Sequence, residues 1–216
     1  MSKTAIILGA TGLTGSILLE YLLEDSFFNK VKVFSRNSVG KTHPKLEEHL
    51  LDLFELQTVS DQFIGDVVFC CIGTTKAKTP NKETYRKIDY GIPVSGAKLA
   101  KQNGMNTFIV ISALGANPKS RVFYNRVKGE MERDVLRQEI KHSYVLQPSL
   151  IGGNRNEKRM GERMAQVFMN FFGFLVPKKY KMIHPEAIAK AMQILARKGF
   201  SATRITSEKI IEIAAQ

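Results

Sequence analysis

Apolar positions in this chain fall into short continuous runs that alternate with stretches of helical spacing. The run from Ala5 to Leu8 is apolar throughout, and behind it Leu13, Ile17 and Leu18 share one helical face. This pattern predicts a buried strand and then a helix over 13–24. Further strands are predicted at 31–35, 46–53, 66–72, 107–112 and 142–146. Helical stretches separate them: a short one at 55–62, a long one at 82–103 and another at 122–138. Gly91 and Pro93 interrupt the long one, so a kink or weak turn is expected there. Residues 148–153 read as a loop. Beyond them come a helix at 159–174 with an apolar end, a helix at 185–198 opened by a proline, a strand at 204–206 and a closing helix at 208–214.

Regular alternation of strands and helices implies right-handed crossovers and a parallel sheet with helices on both faces. The expected class is therefore α/β, a Rossmann-like doubly wound sheet with a small C-terminal helical elaboration. A chain of 216 residues with 44% hydrophobic content suffices for one core. A single domain over 1–216 is expected, with about 150–216 as its substrate-side part.

The turn between the first strand and helix carries Gly9, Gly12 and Gly15 at three-residue spacing. Gly9 lets the chain leave the strand sharply, Gly12 admits a close pyrophosphate, and Gly15 seats the helix near the sheet. Free N–H groups from Thr11 to Thr14, with Leu13 among them, then offer a helix N-terminus to an anion. A glycine pattern alone is a weak signal, but here it stands between a first strand and a first helix, the context the motif requires.

Composition narrows the picture. The two cysteines, Cys70 and Cys71, are adjacent on an apolar strand and point to opposite faces, so they read as core residues and neither a disulfide nor a metal pair. The net charge of +12 is scattered, without an RNA-binding aromatic signature or zinc spacing, so no nucleic-acid partner is expected. No run spans a bilayer and no secretory leader is evident, so a cytoplasmic protein is expected. A homodimer is left open.

Several residues suggest chemistry. Arg36 stands where the second strand ends; a cation there suits a 2′-phosphate and favours NADPH over NADH, and Asn37 and Ser38 add hydrogen-bonding groups. Asp52 and Leu53 follow the third strand, where an adenine would lie, although Asp52 serves equally as a helix cap. Ile72, Gly73 and Thr74 end the fourth strand on the ribose side. Tyr124 and Lys128 lie four apart on one helix face, after a strand that ends at Ser112. A free tyrosine titrates near ~10, and a neighbouring ammonium would bring it toward neutrality for acid/base work. The Ser112 hydroxyl is placed to polarise a carbonyl.

The glycine turn, Arg36, Gly73, Ser112 and Tyr124-x-x-x-Lys128 together resemble the short-chain dehydrogenase/reductase superfamily. Ser112–Ala116, Phe123–Glu130 and Leu146–Leu150 narrow the resemblance to its atypical branch, which includes the human HIV Tat-interacting protein and bacterial relatives. The resemblance implies Tyr124 as proton donor and acceptor and Lys128 beside the nicotinamide ribose. It also places Pro148, Ser149, Leu150 and Ile151 against the nicotinamide side, with Arg155 approaching cofactor or substrate. Two departures stand out: Ala113 replaces a second serine, and Asp89 occupies the place of a helix asparagine that serves a proton relay. The implied function is hydride transfer from NADPH to a small carbonyl-type substrate, roofed by Phe168–Val176 and with Arg155 or Lys158 drawing an anionic group. The alternative is an NADPH-binding regulator with little or no turnover.

Overall fold

The computed structural model describes residues 3–152 and 182–216. Its frame is one seven-stranded sheet: β1 (Lys3–Leu8), β2 (Phe28–Ser35), β3 (Leu46–Leu50), β4 (Val67–Cys70), β5 (Thr107–Ile111), β6 (His142–Gln147) and β7 (Arg204–Thr206). The spatial order is β3-β2-β1-β4-β5-β6-β7, and every neighbouring pair is parallel. The order reverses between β1 and β4, where Leu8 is paired with Cys70. Ligands in such sheets bind outside the strand ends at this switch point.

Six α-helices cover the sheet among the described residues: α1 (Leu13–Glu24), α2 (Lys82–Arg86), α3 (Ile92–Gln102), α4 (Phe123–Leu136), α5 (Pro185–Lys198) and α6 (Ser207–Ala214). The continuous apolar runs follow from this cover, because a strand buried on both faces has no polar side to show. Ile7 faces the layer formed by α1 and α5, where Leu18, Leu22, Ile188 and Met192 pack. Its neighbours Ile6 and Leu8 face the other layer with Leu56, Leu99, Phe108 and Met131. The cysteines obey the same alternation: Cys70 packs in the second layer and Cys71 against the first.

One predicted element is corrected and another is made specific. The third strand stops at Leu50, because the Asp52 carboxylate accepts from the Phe54 N–H at 3.0 Å and starts a 3₁₀ helix over Leu53–Val59. The long helix at 82–103 carries its expected irregularity just before Pro93. It widens into a π-helical turn over Lys87–Gly91, in which the Ile92 N–H donates to the Lys87 carbonyl. Pro93 has no N–H for the Asp89 carbonyl and its ring would crowd that oxygen, so a wider turn upstream relieves both problems. The predicted helix at 159–174 lies outside the described residues.

Candidate active site

The glycine turn is built to keep side chains out. A Cβ on Gly15 would lie 2.1 Å from the Gly9 carbonyl oxygen, and Gly9 itself has φ of +88° with the Cys71 backbone 2.9 Å from its missing Cβ. Gly12 precedes α1, and no side chain caps that helix start. The first-turn N–H groups are thereby left to a ligand, and the helix dipole favours an anion there. These features fit the diphosphate of a dinucleotide.

Thr11, Gly12, Leu13 and Thr14 line a cleft of about 1130 Å³ along the strand ends. Residues from the ends of β4, β5 and β6 share it. Ile72, Gly73 and Thr74 come from β4, Ser112 from β5, Pro148–Ile151 from β6, and Tyr124 and Lys128 from α4. The loops after β5 and β6 are tied together where the Leu114 N–H donates to the Pro148 carbonyl at 2.8 Å.

Lys128 is almost fully buried at the wall of the cleft. Its ammonium lies 3.0 Å from Asp89 Oδ1, with side chains 4% and 1% exposed. The contact is ionic without an aligned hydrogen bond, whereas Asp89 Oδ2 accepts from the Thr74 N–H at 2.8 Å. Desolvation pulls the Lys128 pKa down, but the Asp89 and Tyr124 charges outweigh it and leave it above the ordinary lysine value. The π-helical turn aims Asp89 at Lys128, and Gly73 sits above the pair.

Tyr124 is 39% exposed and borders the cleft. Burial of the phenol raises its pKa, Lys128 lowers it, and Asp89 raises it again; the balance is upward. This corrects the expectation that the lysine would bring the phenol toward neutrality, since Lys128 already shares its field with a carboxylate.

Ser112 also differs from expectation. Its hydroxyl donates to Glu132 Oε1 at 2.6 Å, so its proton is not free to polarise a carbonyl. Glu132 stands one turn beyond Lys128 on α4 and is 2% exposed. It also accepts from Gln147 Nε2 at 2.9 Å and Arg204 Nε at 3.1 Å. Sequence reading missed Glu132, although its four-residue spacing from Lys128 was a usable signal. Gln147 and Arg204 carried none, because only the sheet brings β6 and β7 beneath α4. Gly129 explains its place between Lys128 and Glu130: its Cβ would lie 2.2 Å from the Asn117 backbone, so the loop after β5 rests directly on α4. Glu130 pairs with Arg86.

The predicted adenine-side residues stand apart from this cleft. Arg36 is exposed after β2 and forms no ion pair among the described residues. Ser38 is committed to Glu48 at 2.8 Å. Asp52 caps the 3₁₀ helix, and Leu53, 6% exposed, packs in the core with little surface left for a ring. Arg155, Lys158 and Phe168–Val176 lie outside the described residues. Among the described residues no acidic, thiol or imidazole cluster could hold a metal, and no helix is long and apolar enough to cross a membrane.

Known proteins resemble this chain in sequence and in fold. Residues 4–95 match the model for the NAD-binding domain of semialdehyde dehydrogenase. Protein FMP52 of Candida albicans is 32% identical over 206 residues, covering 92% of this chain and 90% of that protein. Protein HTATIP2 of Rattus norvegicus is 33% identical over 178 residues, covering 81% and 72%. The chain belongs to the FMP52/HTATIP2 family. The resemblance to the branch of the HIV Tat-interacting protein is thus borne out, and with it an NAD(P)-binding, oxidoreductase-like Rossmann fold. Membership in the FMP52/HTATIP2 family overturns one expectation: the FMP52 proteins of Candida albicans, Eremothecium gossypii and Debaryomyces hansenii are named as mitochondrial, which conflicts with a cytoplasmic assignment. Among solved structures, WbmG of Bordetella bronchiseptica in complex with NAD has a TM-score of 0.71 at 11% identity, covering 99% of this chain and 77% of that one. A UDP-N-acetylglucosamine 4-epimerase from Methanobrevibacter ruminantium has a TM-score of 0.70 at 18% identity, covering 98% and 80%. At such identities the likeness is one of fold.

Proposed function

We propose that this chain is an NADPH-dependent oxidoreductase acting on a small carbonyl-type substrate. The observation that carries the reading is that Tyr124 and Lys128 border the same cleft as the uncapped glycine turn. The nicotinamide would supply the hydride. Tyr124 gives the proton to the developing alkoxide, and its raised pKa keeps that proton in place at neutral pH. Lys128 binds the nicotinamide ribose from a position held by Asp89. The N–H groups of Thr11, Leu13 and Thr14 hold the diphosphate, and unpaired Arg36 takes the 2′-phosphate. Gly9, Gly12, Gly15 and Ile72–Thr74 admit the cofactor closely, and Pro148–Ile151 border the nicotinamide. The substrate-side role is assigned to the chain from about 150 onward, and Arg155 is assigned to cofactor or substrate binding. Solved structures of similar fold that are named for NAD complexes support the class of cofactor.

A second reading, an NADPH-binding regulator with little turnover, draws on one observation: Lys128 and the Ser112 proton are already committed to carboxylates. Nicotinamide fluorescence decides first, and the chain has no tryptophan to interfere. Tight NADPH binding with weak NADH binding is expected, followed by turnover in a carbonyl panel. Binding without turnover favours the regulator, and absence of binding overturns both.

A further inference from the structure

The chemistry of Ser112 limits what the cleft can hold beside Tyr124. A serine hydroxyl has one proton and two lone pairs. In this structure the proton goes to Glu132 Oε1 at 2.6 Å, in surroundings where Ser112 is 3% and Glu132 2% exposed. Gln147 donates to both Glu132 oxygens, at 2.9 and 3.1 Å, and Arg204 donates to Oε2 at 3.1 Å. Three converging donors are what a buried carboxylate requires, and they fix its direction. A hydrogen bond to a carboxylate is roughly twice as strong as one to a neutral carbonyl. A substrate carbonyl therefore does not draw the Ser112 proton away, since the exchange would trade the stronger bond for the weaker and strip a buried anion of a donor.

We propose that Glu132 is a positioning residue that makes Ser112 a hydrogen-bond acceptor toward the cleft, and that the ligand group beside it is a donor. This rests on the oxidoreductase reading and narrows its substrate class: the substrate carries a hydroxyl or N–H close to its reacting carbonyl. The carbonyl oxygen is left to Tyr124 alone, and the neighbouring hydroxyl or N–H anchors at Ser112. A simple ketone or aldehyde, which only accepts, meets lone pairs there.

The test uses two probes of similar size that nicotinamide does not reduce, benzamide and methyl benzoate, in ligand-observed NMR on the NADPH-loaded protein. Both accept, and only benzamide donates. Wild type is expected to favour benzamide by about fivefold, the worth of one hydrogen bond of ordinary strength. In Glu132→Gln the side-chain amide can donate to Ser112 and free its proton, so the preference should fall to unity or reverse. Ser112→Ala, which leaves Glu132 its other donors, should lose the preference without weakening methyl benzoate. A loss of packing alone would weaken both probes together and leave their ratio unchanged. Equal binding in wild type, a ratio unchanged in both variants, or failure of both probes to bind overturns the proposal. Failure of NADPH to bind at all overturns the oxidoreductase reading instead.

Discussion

Lys128 Nζ sits 3.0 Å from Asp89 Oδ1, and neither side chain reaches solvent to any useful extent. A buried ion pair gives modest net stability, but removing one partner strands the other charge at a cost of about 3–5 kcal/mol. Asp89→Asn should therefore destabilise the fold by about 3 kcal/mol or more in urea denaturation. Asn can still accept from the Thr74 N–H, so the loss belongs to the ammonium. Adding Lys128→Met should recover much of it. A single variant within 1 kcal/mol of wild type would show that the pair is not formed.

Tyr124 keeps its proton to higher pH than a free tyrosine, because burial and Asp89 outweigh Lys128. Reduction uses the protonated phenol, so kcat/KM should stay flat through neutrality and fall only above ~10. Tyr124→Phe should lower kcat/KM by about 10²–10⁴ and leave NADPH binding intact. A profile that already falls near neutrality, or a Phe variant of unchanged turnover, would remove Tyr124 from the acid/base role.

Gly129 and Gly40 offer a matched pair. A Cβ on Gly129 would meet Asn117 and Pro118 backbone at 2.2 and 2.3 Å, and backbone cannot swing aside. Gly129→Ala should cost about 3 kcal/mol and shift the loop that follows Ser112. Gly40 has φ of +68° but nothing within 4 Å, so Gly40→Ala should cost only about 1–2 kcal/mol of backbone strain. Equal losses in thermal denaturation would refute the packing role of Gly129.

Much of this site was legible because its logic is local. The glycine turn, the strand ends and the Tyr124–Lys128 spacing each lie within a few residues, and α/β alternation places strand ends on one edge. What was not legible depends on contacts across the fold. Leu51 and Leu53 look like strand, yet Asp52 between them caps a helix. Asp89 reads as a relay residue replaced, but the wide turn before Pro93 makes it the counter-ion of Lys128. Ser112 reads as a donor to substrate until Glu132 takes its proton, and the partners that hold Glu132 come from β6 and β7.

Arg36 carries the NADPH preference if its unpaired guanidinium meets a 2′-phosphate. A charge-assisted contact of this kind is worth about 1.5–3 kcal/mol. Arg36→Ala should weaken NADPH by about tenfold or more and change NADH by much less. Parallel titrations of both cofactors measure this. A variant that loses both equally would place Arg36 in folding, and one that loses neither would leave the preference elsewhere.

Alkaline pH should unfold this protein in a recognisable order. Burial raises Cys70 to about 11 and raises Cys71 further, and burial also raises Tyr85 and Tyr124; Lys128 stands above its ordinary value through Asp89 and Tyr124 despite desolvation. In each case the folded state holds its proton more tightly than the unfolded state. The stability so contributed is fully present below the unfolded pKa values and is lost as pH rises through the folded ones. Because unfolded thiols titrate near ~8.5 and tyrosine and lysine near ~10, urea midpoints should be level up to pH ~8, decline from there, and steepen beyond pH ~10. Cys70→Ala should make the first part of the decline shallower, with Cys71 carrying the remainder, and leave the steeper part. Midpoints that rise between pH ~8 and ~10 would reverse the sign of the linkage and contradict the burial of these groups.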